Sequence, residues 1–294
     1  MPTPNIIYYT RHGMNNMRIE TITSAQNPKI KGLLELQEKS KARRRTGLFV
    51  VEGRRELQHC IEAGFEPHTL FICRDIMTEK EFDRILGVIE ENFTGMMCPI
   101  IEISQQLYDK IAYRGGTEGI IAELHCKEMT LESLELKENP LVVVLESVEK
   151  PGNLGAVLRS ADASGADAVI VCDPLTDLYN PNLIRSSIGA IFTVPVATAT
   201  SEDAIRWLKE RNIRIYTAQL QDSEWYYDTD MTGGTAIVMG TEATGLTDVW
   251  RKAADAHIKI PMLGRLDSLN VSVSAAILMF EAVRQRNGAT QKAL

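Results

Sequence analysis

Short apolar runs of four or five residues recur along the chain, separated by stretches whose apolar positions repeat every three to four residues. The first pattern reads as strands with both faces covered, the second as helices with one buried stripe. In the first half the runs Leu48–Val51, Thr69–Cys73, Ile100–Ile103 and Ile120–Leu124 predict strands. Helices are expected after the opening signal Asn27-Pro28, with Ile30, Leu33, Leu34 and Leu36 on one side, and over Arg54–Ala63, Glu79–Asn92 and Gln105–Ala112. In the second half strands are expected at Leu141–Leu145, Ala168–Cys172, Thr193–Val196, Arg214–Thr217, Ala236–Met239 and His257–Ile260. Helices fall between most of them, at Asn153–Ser164, Asn182–Ile188, Glu202–Arg211 and Thr247–Ala254. A last helix over Asn270–Arg286 carries Val273, Ala276, Ile277, Phe280 and Val283 at helical spacing. This alternation predicts an α/β fold: a smaller α/β domain, then an open, mainly parallel sheet whose ligands would sit beyond the carboxyl ends of strands.

The pattern weakens between Cys126 and Pro140, in the charged stretch LESLELKENP. A linker over 126–140 therefore separates a domain at 17–125 from one at 141–294. Residues 1–16 show no periodicity and precede Met17, so they read as a leader or an over-called start, expected to be disordered.

Composition narrows the function. The chain has 294 residues, 44% of them hydrophobic, and a formal charge of −7. That excludes a disordered chain and a protein that coats nucleic acid with its whole surface. A local exception runs from Lys29 to Arg55, where nine basic residues face three acidic ones. Within it Lys41, Arg43, Arg44, Arg45, Arg54 and Arg55 are candidates for contact with RNA phosphates, although a solvated helix face accounts for the same charges. Five widely spread cysteines without a C-x-x-C pair suit a reducing compartment. With no apolar span and no signal-like start, a cytoplasmic protein is expected. The five histidines show no metal-type spacing, so no metal centre is expected, and there is no G-x-S-x-G elbow.

Three loops, each after a predicted strand, carry candidate chemistry. The first is Pro151-Gly152-Asn153-Leu154-Gly155 with Arg159 beyond it. Its glycines permit close backbone approach to a ligand or partner, but it lacks the third glycine of a dinucleotide fingerprint, which weakens a nicotinamide-dependent Rossmann enzyme. The second, Gly240-Thr241-Glu242-Ala243-Thr244-Gly245-Leu246, brackets an acid that fits either a ligand contact or a helix cap. The third runs from Ile260-Pro261-Met262-Leu263-Gly264 to Ser268-Leu269-Asn270, where Ser268 or Asn270 would also serve as an ordinary N-cap.

In this order and spacing the three loops resemble the motifs of the SpoU/TrmH family, RNA 2′-O-ribose methyltransferases of the SPOUT class that use S-adenosylmethionine. The resemblance covers Leu141 to Arg286, and the ending Phe280–Arg286 is similar to the bacterial 23S rRNA guanosine-2′-O-methyltransferases. ITSAQNPKIKGL and FVVEGRRELQ resemble the family's L30e-like substrate-binding domain. The resemblance implies a deep trefoil knot in the second domain, a homodimer with the active site near the subunit interface, and an rRNA substrate in preference to tRNA. It implies cofactor contacts at Gly240, Ile260 and Leu269, with Met262 and Thr217 beside them, and functional polar roles for Asn153, Arg159, Glu242, Ser268 and Asn270. The first motif departs slightly: Glu146-Ser147 stands where relatives often have Asp-Gly. Two other readings stay open, a tRNA 2′-O-methyltransferase of the same family and a non-catalytic L30e-type RNA-binding protein.

Overall fold

A computed structural model of the chain describes residues 8–10, 13–15, 19–113, 118–241 and 244–292. These group into two compact units, Met1–Lys127 with Tyr179–Ile184, and Glu128–Leu178 with Arg185–Leu294.

In the first unit β1 (Tyr8–Thr10) and β2 (Gly13–Asn15) form a short antiparallel pair inside the stretch expected to be a leader. The rest of that stretch lies outside the described residues. There follow β3 (Ile19–Ile22), α1 (Pro28–Glu38), α2 (Ser40–Thr46), β4 (Leu48–Glu52), α3 (Arg54–Glu62), β5 (Pro67–Ile72), α4 (Glu79–Asn92), β6 (Ile100–Ile103), α5 (Gln105–Ile111) and β7 (Ile120–His125). The strands make a mixed five-stranded sheet in the order β3-β6-β5-β7-β4. Local chemistry sets the helix starts. Asn27 Oδ1 accepts from the Lys29 amide at 2.9 Å, and Thr78 and Glu81 form a reciprocal capping box at α4. Ile30, Leu33 and Leu36 of α1 pack on Val50, Phe71, Ile101 and Ile121 of the sheet. Neither β3 nor the break between α1 and α2 was expected. In SKARRRT a single apolar residue, Ala42, gives no period to read.

The second unit holds β8 (Leu141–Glu146), α6 (Pro151–Ser164), β9 (Ala168–Cys172), the end of α7 (Pro181–Ser187), whose residues up to Ile184 belong to the first unit, α8 (Ala190–Thr193), β10 (Val196–Ala199), α9 (Ser201–Glu210), β11 (Arg214–Ala218), β12 (Glu224–Trp225), β13 (Thr235–Met239), α10 (Asp248–Ala253), β14 (Ala256–Lys259) and α11 (Val271–Lys292). Its seven strands run in the order β10-β9-β8-β13-β11-β14-β12, and every pair is parallel. From β8 the chain builds outward through β9 and β10, then crosses to the other side. Strand β13 finally enters between β8 and β11. Both faces of β8, β9 and β13 are buried, as their continuous apolar sequences require. Among the described residues no helix is long and apolar enough to cross a membrane.

Two expectations are corrected. The strand expected at Thr193–Val196 begins at Val196, and Ala190–Thr193 is a helical turn. Pro195 has no amide to give a ladder, so it contributes its carbonyl to Val169 and pairing starts after it. The stretch expected to be a linker is packed. Leu131 is buried in a 3₁₀ turn, with Leu134 and Leu136 against the core of the second unit.

The sequence ending FEAVRQR acts as a clamp. Arg286 donates to the carbonyls of Asn139, Pro140, Gly233 and Met231 at 2.8–3.1 Å. Gln285 accepts from the Met231 amide at 2.8 Å. Helix α11 is thereby fixed to the entries of β8 and β13.

Candidate active site

Strands β8 and β13 are parallel neighbours, with Leu145 opposite Met239, so their carboxyl ends emerge side by side. The strand order reverses here, and a crevice opens at such a point in a parallel sheet. A cavity of about 220 Å³ lies there. It is lined by Val148, Glu149, Lys150 and Asn153 after β8, by Gly240 and Thr241 after β13, and by Val271 at the start of α11. The three loops singled out in the sequence thus meet at one place.

The polar centre joins the first and third loops. Asn270 donates from Nδ2 to Asn153 Oδ1 at 3.1 Å, while its own Oδ1 accepts from the Ser272 amide at 3.0 Å and from the Ser272 hydroxyl at 2.6 Å. Asn270 is therefore both the helix cap and a fixed amide at the cavity. Ser268 is exposed and leaves the capping to Asn270.

Gly240 and Gly155 answer different constraints. A Cβ on Gly240 would lie 2.3 Å from the carbonyl carbon and oxygen of Gly245 and 2.6 Å from the Leu246 amide nitrogen. The second loop folds back on its own start, closed by the Gly245 amide on the Thr241 carbonyl at 3.1 Å. Gly155 was read as room for a ligand or partner. The structure gives that room to α7, since a Cβ there would meet Ser186 Cβ and the Ser187 amide at 2.8 Å.

Sequence reasoning noted Glu146 only as a departure from the first motif and missed its role; it is the last residue of β8 and is 3% exposed. Its carboxylate accepts from the Thr247 hydroxyl at 2.6 Å and the Thr247 amide at 2.8 Å, and lies 3.3 Å from the Ser201 hydroxyl. Ser201 in turn donates to Asp173 at 2.6 Å and accepts from Trp250 Nε1 at 2.9 Å. One buried carboxylate therefore ties the end of β8 to the far end of the Gly240 loop. A buried acid directly after an apolar strand was the available signal. Glu146→Ala removes the charged acceptor of both Thr247 donors and is expected to cost about 2 kcal/mol, or roughly 4–8 °C in melting temperature. A thermal melt within 2 °C of wild type, taking about that value as the noise of such a shift, would remove Glu146 from this role.

Ser147 follows at φ 51°, in the left-handed region. A glycine bears that conformation without Cβ crowding. Ser147→Gly is expected to stabilise the protein by about 1 kcal/mol, seen as a rise of about 2–4 °C in melting temperature. A fall would show that the Ser147 hydroxyl outweighs the relief.

The remaining expected residues lie as follows. Arg159 is exposed on α6, six residues beyond Asn153 and so about 9 Å further along the helix axis. It does not line the cavity of its own chain. Ile260 and Met262 are half-buried after β14, and Leu269 is exposed. Thr217 is fully buried, its hydroxyl 2.6 Å from His257 Nδ1, so this side chain joins β11 to β14. Glu242 lies outside the described residues. In the first unit Lys41, Arg44, Arg45 and Arg55 are exposed. Arg54 is half-buried and ion-paired with Glu81 and Glu118. Arg43 leaves the basic face altogether: it is 3% exposed, and its guanidinium donates to the Leu36 and Gln37 carbonyls at the end of α1. Among the described residues no group of three or more acids, histidines or cysteines is placed to hold a metal ion.

Comparison with known proteins points the same way. Residues 140–280 match the SpoU rRNA methylase family, and residues 27–122 match the MRM3-like substrate binding domain. The chain is 35% identical over 222 residues to the 23S rRNA (guanosine-2′-O-)-methyltransferase RlmB of Vibrio cholerae, covering 74% of this chain and 90% of that one. It is 29% identical over 262 residues to the 23S rRNA (guanosine(2553)-2′-O)-methyltransferase RlmP of Bacillus subtilis, covering 89% and 98%. The crystal structure of an AdoMet-bound rRNA methyltransferase from Sinorhizobium meliloti superposes with a TM-score of 0.81 at 27% identity, covering 90% of this chain and 98% of that chain.

Proposed function

Since the chain belongs to the SpoU rRNA methylase family, we propose that it transfers a methyl group from S-adenosylmethionine to a ribose 2′-hydroxyl of 23S rRNA, in the cytoplasm. The observation that carries this reading is the meeting of Asn153, Gly240, Thr241 and Val271 around one cavity at the switch point of a parallel sheet.

The residues present fit the cofactor. Val148 and Val271 supply apolar walls, Gly240 and Thr241 expose backbone without bulk, and Glu149 offers a carboxylate to a cationic sulfonium. At about 220 Å³ the cavity is smaller than common ligand pockets, so the segment Ile260–Leu269 completes the holding surface. Bound there, S-adenosylmethionine supplies a methyl group already activated by its positive sulfur.

The chain's own groups then have two tasks. The Asn153–Asn270 pair fixes the orientation of the first and third loops, so that a ribose hydroxyl is held in line for reaction. Arg159 supplies positive charge. A guanidinium stays protonated at any working pH, so it steadies the oxygen as its proton leaves and grips the adjacent phosphate. A base other than Arg159, or an RNA phosphate, receives that proton.

Because Arg159 lies well along α6 from the cavity, it serves the site of a second copy. The reading therefore includes a homodimer, supported by the exposed Leu263 and Leu266, which are 98% and 80% accessible, and by Val273 and Phe280 on the outer side of α11. It also includes the family's trefoil crossing, supported by the late insertion of β13 beside β8 and by the tight return at Gly240.

The test is incubation with methyl-labelled S-adenosylmethionine and total RNA from cells lacking the enzyme, followed by mapping of alkali-resistant linkages. Label at one such linkage in 23S rRNA is expected. Label confined to tRNA would overturn the substrate, and label in base-linked methyl groups would overturn the chemistry.

A further inference from the structure

The first unit holds a cavity of about 360 Å³ between α1, α2 and one end of its sheet. Leu36, Leu48, Phe71 and Ile101 make apolar walls. Set among them is a carboxylate, Glu123 of β7, only 8% exposed. Its Oε2 lies 3.3 Å from His68 Nδ1, and the Thr69 hydroxyl is 2.9 Å from the same nitrogen. Burial pushes the Glu123 carboxyl above its ordinary pKa, and the His68 imidazole draws it back down. Lys29 and Arg45 stand at the rim, each with an acidic neighbour, Glu20 and Glu35 respectively. Lys41 and Arg44 extend the exposed basic face along α2.

A cavity with apolar walls and cations at its mouth suits an unstacked nucleotide of single-stranded RNA. The carboxylate selects among the bases. An ionised carboxylate only accepts hydrogen bonds. Guanine presents two adjacent donors, N1–H and the 2-amino group. Adenine and cytosine set one amino group beside a ring acceptor, and uracil sets one N–H between two carbonyls, so each would turn lone pairs toward Glu123. We propose that this cavity receives an extruded guanine of the RNA substrate, with its donor edge on Glu123, its faces on the apolar walls and its flanking phosphates on Lys29 and the basic face of α2. The proposal rests on the reading of the substrate as RNA and adds a base-reading site in the first unit, apart from the cavity beside β8 and β13.

Binding of short oligouridine strands carrying one central guanosine, inosine or adenosine tests it, using the whole protein. The guanosine strand is expected to bind about tenfold tighter than the adenosine strand, with inosine, which lacks the 2-amino group, between them. Glu123→Gln is expected to bring the three within about twofold. Gly32→Leu is the second variant. Gly32 lines the cavity from α1 and a Cβ there meets open space, so the helix is kept while the slot is filled. It should abolish the same preference. Equal or undetectable binding of the three strands by wild type, or a preference that survives in both variants, overturns the site. Methyl transfer to 23S rRNA, measured on the same preparations, separates the two readings. Transfer without guanine preference refutes this cavity alone, and guanine preference without transfer refutes the activity and leaves the cavity standing.

Discussion

Arg159→Ala is expected to lower methyl transfer by about 10²–10³-fold while leaving the melting temperature and S-adenosylmethionine affinity close to wild type. The residue is exposed on α6 and outside the cavity of its own chain, so its removal opens no core and touches no cofactor wall. In the proposed reaction, what is lost is the cation that would steady charge on the ribose oxygen and hold a phosphate. A mixing experiment addresses the geometry. Arg159→Ala and Asn270→Ala homodimers are each expected to be nearly inactive, whereas exchanged subunits regain up to about a quarter of wild-type activity, because about half the dimers are then mixed and each mixed dimer has both good residues in one of its two sites. Arg159→Ala turnover near wild type would refute the role of this residue. Mixed subunits that stay inactive would place Arg159 and Asn270 in the site of the same chain.

Gly240→Ala is expected to weaken S-adenosylmethionine binding about a hundredfold. The added methyl meets backbone, Gly245 at 2.3 Å and Leu246 at 2.6 Å. No rotamer change relieves that, so the loop itself must move. Overpacking of this kind costs about 3 kcal/mol, which appears as two decades in Kd when the loop yields and the rest of the fold does not. Titration calorimetry with S-adenosylmethionine measures it, alongside a melt to show that the core survives. Unchanged affinity would mean that the second loop is not part of the cofactor site. Gly152, in the first loop, is the contrast: a Cβ there meets nothing within 4 Å, so its alanine variant is expected to fold normally.

The parts of this architecture legible in the sequence are those governed by periodicity. Leu141–Leu145, Glu79–Asn92 and Ile100–Ile103 each carry one unbroken period, and each lies where it was expected. Elements decided by a few tertiary bonds were not legible. Strand β3 is four residues long, and β12 is a two-residue edge pairing with β14. The shift of β10 turned on one missing amide at Pro195. In the site, the spacing of the three loops brought Asn153, Gly240 and Asn270 to attention, and they do meet. A sequence does not show which side of a strand the hydroxyl of Thr217 faces, nor that Arg43 turns inward to serve the carbonyls of α1. The sequence shows Glu146 only as a departure from the first motif, because the partners that give it a role, Thr247, Ser201 and Asp173, are remote in sequence and joined only by the sheet.

The leucines that precede β8 bear on how the chain can be cut. Leu131, Leu134 and Leu136 are joined to the core built on Val142, Val144 and Ile170, although the SpoU match begins only at residue 140. A fragment started at that match would bare the apolar surface those side chains cover, at about 1.5–3 kcal/mol for each well-buried leucine. Such a fragment would be prone to aggregate. The unit that carries the parallel sheet starts at Glu128, so a protease that respects the fold would nick the chain ahead of Leu131 and not at Pro140.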